Sequence, residues 1–177
     1  MVRSEAELRK NSIIVSLNSY EDIFSDFDPG SYRVRGLSDD FLIECKKASM
    51  DKDFVSEVIF LVPKKGRKVK LEKEIKIRLR NHFEKHFLEK KKKVNAIKKT
   101  GGLWFLSGAV IMTLATFLYS YEGGFLHDFI QVLSEPAGWF MFWEGLDKVF
   151  IESKTEMPDF EFYQRLSKAT ITFMNSN

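Results

Sequence analysis

The chain has 177 residues, a slight net charge of +3 and a charged fraction of 30%, bulk values that read as an ordinary soluble domain. Its single cysteine, Cys45, excludes an intrachain disulfide framework and fits a reducing compartment. The length excludes more than one modest domain beside a membrane unit.

Those averages hide an asymmetry. Pro63–Thr100 holds sixteen Lys/Arg against four Glu, a local net of +12, so the rest of the chain carries −9. Met1–Asn18 has no apolar stretch of the kind a signal peptide needs, so no leader is expected.

In chain order, Ser12–Leu17 (SIIVSL) predicts a short strand. Asn18 or Ser19 then caps a brief helix over Tyr20–Phe24. Asp28-Pro29-Gly30-Ser31 has turn chemistry, proline presetting φ and glycine permitting the reversal. Ser38 opens a helix to about Met50, with Asp39 and Asp40 complementing its dipole and Phe41, Leu42 and Cys45 on its apolar side. Val55–Val62 (VSEVIFLV) predicts a second strand ended by Pro63, and Lys64–Lys70 a basic loop around Gly66. From Leu71 the four-residue recurrence of Ile75, Leu79, Phe83 and Phe87 draws one apolar stripe along a charged helix. Thr100-Gly101-Gly102 predicts a loosened or kinked join to an apolar helix.

That apolar helix is Gly101–Tyr121 (GGLWFLSGAVIMTLATFLYSY), a run without a charged residue. At about 1.5 Å per residue it matches a hydrocarbon core of about 30 Å. The second apolar region, Phe125–Ile151, is interrupted by His127, Asp128, Gln131, Glu135, Glu144, Asp147 and Lys148. It is read as an amphipathic segment over Leu126–Ser134 with a membrane helix after it over Pro136–Ile151, proline suiting the first turn and Trp139 and Trp143 anchoring at interfaces. Positive charge beside a span stays in the cytoplasm, which places both termini there and Tyr121–Gly124 on the far side. Pro158–Lys168 predicts a helix and Thr170–Met174 a strand that joins the first two, because a two-stranded sheet is marginal alone.

The expected fold is thus an α+β cytosolic domain of two or three strands with helices, joined to a transmembrane helical hairpin. Its expected parts are a cytosolic domain over 1–70, a basic amphipathic helix over 71–100, a hairpin over 101–151, and a C-terminal helix and strand over 152–177 that pack on the first domain.

With Gly138-Trp139-Phe140-Met141-Phe142-Trp143 on the second helix and Asp28-Pro29 as the early turn, the chain resembles a family of small, uncharacterised prokaryotic two-span membrane proteins. That family carries a G-W-x-x-x-W signature with an acidic residue a few positions on, near where Asp147 stands here. The chain departs from the pattern at Glu144-Gly145, where a basic residue and proline are usual. The resemblance implies the two-helix topology and no activity.

Several residues are candidates for chemistry. Arg80, Asn81 and His86 resemble the R-x4–6-H pattern of HEPN ribonucleases, in which a histidine moves a proton and an arginine stabilises a phosphorane. His82 and His86, at i and i+4, have the spacing of two imidazoles on one metal, but Phe83 stands where a zincin has glutamate. Lys90, Lys91, Lys92, Lys93, Lys98 and Lys99 form a block suited to anionic lipid headgroups, each worth about 1 kcal/mol near the surface. Contact with nucleic acid is the lesser expectation, since no aromatic platform is interleaved with these lysines. Glu144 and Asp147 are ionisable groups on a membrane helix, which commonly face a bundle interior or a wet cavity. Gly108, Ala109, Gly138 and Gly145 offer small surfaces for close helix packing and make a homo-oligomer an expected partner state.

No cofactor is expected, because phosphate-binding glycine loops, nucleophile elbows and cysteine clusters are missing. The functional expectation is an integral inner-membrane anchor, adaptor or signalling component without catalysis. An oligomeric pore gated through the cytosolic domain is the first alternative, and a membrane-tethered HEPN-like ribonuclease the second.

Overall fold

The computed structural model describes residues 11–52 and 54–176. Most of the segment on which the absence of a leader rests, residues 1–10, lies outside the described residues. The elements are β1 (Ser12–Ser16), α1 (Asp39–Met50), β2 (Glu57–Pro63), α2 (Val69–Leu118), α3 (Phe125–Asp147), α4 (Ser153–Lys168) and β3 (Thr170–Ser176). They fall into two compact units. One takes the described residues up to Leu88 together with those from Glu161 onward, and the other is Glu89–Phe160.

The first unit is built on a three-stranded, fully parallel sheet of order β1-β2-β3. Ile14 stands opposite Ile59 and Ile59 opposite Thr172. Parallel neighbours need crossovers, and right-handed crossovers in a sequential order put their helices on one face. The side chains obey this. Ile13, Val58, Phe60, Val62, Ile171 and Phe173 alternate along their strands into one buried cluster with Phe41 and Cys45 of α1, Ile75, Leu79 and Phe83 of α2, and Phe162 and Leu166 of α4. The opposite face carries Ile14, Leu61 and Met174, of which Ile14 and Met174 are exposed.

Local chemistry explains the early loop. Ser19 caps a 3-10 turn over Tyr20–Ile23, its hydroxyl accepting from the Glu21 N–H while the Asp22 carboxylate accepts from Asn18 and Ser19. The Asp28 carboxylate accepts from the Gly30 and Gly36 N–H groups at 2.9 and 2.7 Å, and these bonds hold its carboxyl below the usual range.

In the second unit the later part of α2 packs against α3, and among the described residues α2 alone is long and apolar enough to cross a membrane, so the expected second span over Pro136–Ile151 is not found. α2 runs unbroken through Gly101 and Gly102, so the expected kink does not occur. The reason is packing. A side chain at Gly101 would meet the Gly145 carbonyl oxygen at 2.9 Å and Lys148 Cβ at 2.8 Å, so the glycine serves helix contact rather than helix interruption. The expected break before Pro136 is likewise absent, for α3 is one helix with Pro136 inside it. Proline removes one ladder bond, and the close contacts at Met112–Gly138 and Phe105–Gly145 hold the next turns in register. The helical part of the first run ends at Leu118 rather than Tyr121, and the second helix begins at Phe125. A π-helical turn over Lys148–Glu152 joins α3 to α4.

Candidate functional site

A connected polar cluster of the sheet unit lies at the carboxyl ends of the strands. β1 leads into the turn carrying Tyr20, and β2 leads through a short basic turn to Arg67. Arg67 donates from Nε to Glu72 Oε1 at 2.8 Å and from Nη2 to Glu72 Oε2 at 2.9 Å. It also donates to the Phe173 carbonyl and to Asn175 Oδ1 on β3. Tyr20 donates its hydroxyl proton to Glu72 Oε1 at 2.8 Å and accepts from the Lys68 N–H at 3.0 Å. The Arg67 guanidinium holds the buried Glu72 carboxyl below its ordinary range, while burial pushes the Tyr20 phenol up. Each of these donors aims at another protein group. The network clamps α2 to β3 and commits four of the five Arg67 N–H groups to protein acceptors.

The histidines do come together. The His82 and His86 rings lie 4.3 Å apart, and His86 stacks on Tyr163 at 5.2 Å. Among the described residues the buried His82 Nε2 has no hydrogen-bond partner, and burial, with the nearby His86, Arg78 and Lys85 adding to it, drives its pKa down to about 4. Among the described residues no group of three or more possible ligands surrounds a metal position. Arg80 and Asn81 are exposed. Arg80 and His86 stand six residues apart on one helix of 3.6 residues per turn, so they point to different sides. The fold around them is a parallel sheet covered by helices, not the helical bundle that a HEPN site requires.

The basic block divides. Lys90 pairs with Glu156 at 3.1 Å and with Asp159 at 2.6 Å, and Lys93 pairs with Glu156 at 2.6 Å. These bonds raise the Lys90 pKa, Asp159 foremost, and lower that of Glu156, Lys93 foremost. Lys91, Lys92, Lys98 and Lys99 stand exposed. Glu144 is bridged to Lys148 at 2.9 Å, and Lys148 to Glu152 at 3.2 Å. Asp147 is exposed. Lys148 sits beside Gly101, so this acidic end of α3 is level with the start of the apolar run, close to Lys98 and Lys99 in sequence.

The hairpin itself is held by backbone-to-backbone approach. A side chain at Gly108 would meet the Phe142 nitrogen at 2.5 Å and the Gly138 oxygen at 2.7 Å. The Phe105 and Phe142 rings pack 4.6 Å apart beside this contact. Outward from it Leu103, Leu106, Val110, Leu114 and Phe117 of α2 are all more than half exposed, as are Phe129, Val132, Leu133 and Phe140 of α3, with Trp139 at 49%.

No family model, curated protein or solved structure matches this chain.

Sequence patterning alone did not single out the Tyr20–Arg67–Glu72 network, because Glu72 sits among charged neighbours. Glu135 also drew no special weight. It is an exposed residue of α3, and it makes no hydrogen bond or ion pair among the described residues.

Proposed function

We propose that the chain is a two-span integral inner-membrane protein, with both termini in the cytoplasm, that works as an anchor, adaptor or signalling component rather than as an enzyme. The observation that carries this reading is the pairing of β2 with β3. The apolar run of α2 lies between these strands in the chain, and the two strands share a sheet. A chain that crosses a bilayer once on α2 must therefore cross back before Thr170, and α3 is the helix available for the return. The apolar window of α2 has a mean hydropathy of 1.7 and only 17% of it is buried. A helix in the core of a soluble protein would be mostly covered, whereas an uncovered apolar surface of this length suits lipid.

The exposed lysines before Gly101 support a cytoplasmic sheet unit and contact with anionic headgroups. The resemblance to two-span membrane proteins with a G-W-x-x-x-W helix points the same way.

Cysteine labelling in intact cells tests the proposal. In a Cys45→Ser background, Gly123→Cys is expected to react with an impermeant maleimide from outside. Lys65→Cys and Lys168→Cys are expected to react only after permeabilisation. Labelling of Lys168→Cys from outside, with Lys65→Cys protected, would overturn the return crossing.

A further inference from the structure

The register of the hairpin fixes a depth for each residue of α3. Gly138 packs between Gly108 and Met112, its added side chain meeting the Gly108 oxygen at 3.3 Å and the Met112 nitrogen at 3.2 Å. Gly145 packs against Gly101 and Phe105. The helices are antiparallel, so Glu135, three residues before Gly138, is level with Ile111–Ala115. At about 1.5 Å per residue this lies roughly 20 Å from Lys99, well within a hydrocarbon layer of about 30 Å. Glu144, by contrast, comes level with Trp104, within reach of the boundary, and has Lys148 as its partner. Glu135 is therefore the acidic group that the hairpin carries deepest.

A carboxyl group at that depth needs a partner, because an acidic side chain near mid-bilayer is costly to insert when nothing bonds it. Among the described residues Glu135 has none, and it is exposed between Val132, Leu133 and Trp139. Pro136 has no N–H to give the Val132 carbonyl, which adds an acceptor at the same level. On α2 the exposed hydroxyls Thr113 and Thr116 stand at this depth. Each donates its proton to its own helix, Thr113 to the Ala109 carbonyl at 2.8 Å and Thr116 to that of Met112 at 2.9 Å. Their oxygens keep lone pairs, and each hydroxyl can turn its proton to a carboxyl oxygen instead.

Resting on the two-span reading, we infer that hairpins of two copies of this chain associate side by side, the Glu135 carboxyl of one bonding the Thr113 or Thr116 hydroxyl of the next. A second copy is the fitting occupant because the same basic block orients every copy alike. Donor and acceptor therefore meet at matched depth, with Val110, Leu114 and Phe117 exposed beside the threonines to cover the apolar flank of α3.

The test is the mass of the full chain reconstituted in lipid nanodiscs or held in mild detergent. The wild-type chain is expected to be oligomeric. Glu135→Leu and the double variant Thr113→Val, Thr116→Val are each expected to weaken association at least tenfold. Glu135→Gln, whose amide still donates, is expected to retain it. Retained protection of Cys45 shows that a dissociated variant is folded. A wild-type monomer that resists alkaline extraction from membranes would overturn self-association alone. Release of the protein by alkaline extraction would instead overturn the two-span reading. Unchanged mass in Glu135→Leu, or a complex made only with a different protein, would also overturn the inference.

Discussion

Arg67 and Glu72 form a two-bond ion pair in which the arginine side chain keeps a quarter of its surface in solvent and the carboxylate keeps 6%. The pair ties the first turn of α2 to β3, the last strand, through the Phe173 carbonyl and Asn175. Removing the arginine leaves a buried carboxylate with Tyr20 as its main remaining partner. That costs about 3 kcal/mol. Because Cys45 is fully buried in the same core and is the sole cysteine, its thiol labelling rate reports opening of the sheet unit. Arg67→Ala is expected to speed labelling of the full chain in detergent about 100-fold, since each factor of ten corresponds to about 1.4 kcal/mol. The network would be marginal to stability if the rate changed less than threefold.

His82 makes the sheet unit sensitive to mild acid. Its folded pKa of about 4 lies below the unfolded value of 6.5, so the unfolded chain binds the extra proton between these limits. The neutral ring's contribution is complete above pH 6.5 and is lost progressively as the pH falls towards 4. Between pH 7.5 and 5.5 the loss is about 1 kcal/mol. His82→Phe is expected to abolish this component. The check is the denaturant midpoint of Cys45 protection, read with a pyridyl disulfide at both pH values. Equal pH dependence in the variant would assign the effect to other groups.

The glycines of the hairpin are not equivalent. Gly108 has backbone atoms of α3 at contact distance, while Gly102 has nothing within 4 Å. In a Cys45→Ser background, Phe105→Cys with Phe142→Cys is expected to form an intramolecular disulfide on mild oxidation. Adding Gly108→Leu is expected to abolish the crosslink by forcing the helices apart. Gly102→Ala is expected to leave it intact and to favour the helix by up to about 1 kcal/mol. A crosslink that survives Gly108→Leu would mean that the hairpin does not depend on this contact.

The strands and the long helix were legible because their side chains keep period. Ile75, Leu79 and Phe83 mark the core face of α2 by spacing alone, and all three are fully buried. The third strand was legible as well, since Thr170–Met174 falls within β3. The sites were less so, because they are made by residues far apart in the chain. Tyr20 and Glu72 are 52 positions apart, and Lys93 and Glu156 are 63. A local pattern cannot pair them. Lys90 and Lys93 therefore read as headgroup contacts, although the fold gives both to acidic partners on α4. Glu144 stood out with Asp147 as an acid on the expected second helix, while Glu135 fell just before that helix and drew no weight. Only the register against Gly101 and Gly108 separates one near the boundary from one deep in the run.

The position of β2 at the centre of the sheet also orders events in time. It leaves the ribosome with β1 already made, but its other neighbour is the last element of the chain. Translation at about 5–20 residues per second takes roughly 5–20 s to reach β3 after Pro63. Throughout that interval one edge of the central strand lies unpaired, with the aggregation hazard that open edges carry. On the two-span reading, a chain delayed within the bilayer would prolong that exposure, so a slow insertion step would be felt first as misassociation of a half-built sheet.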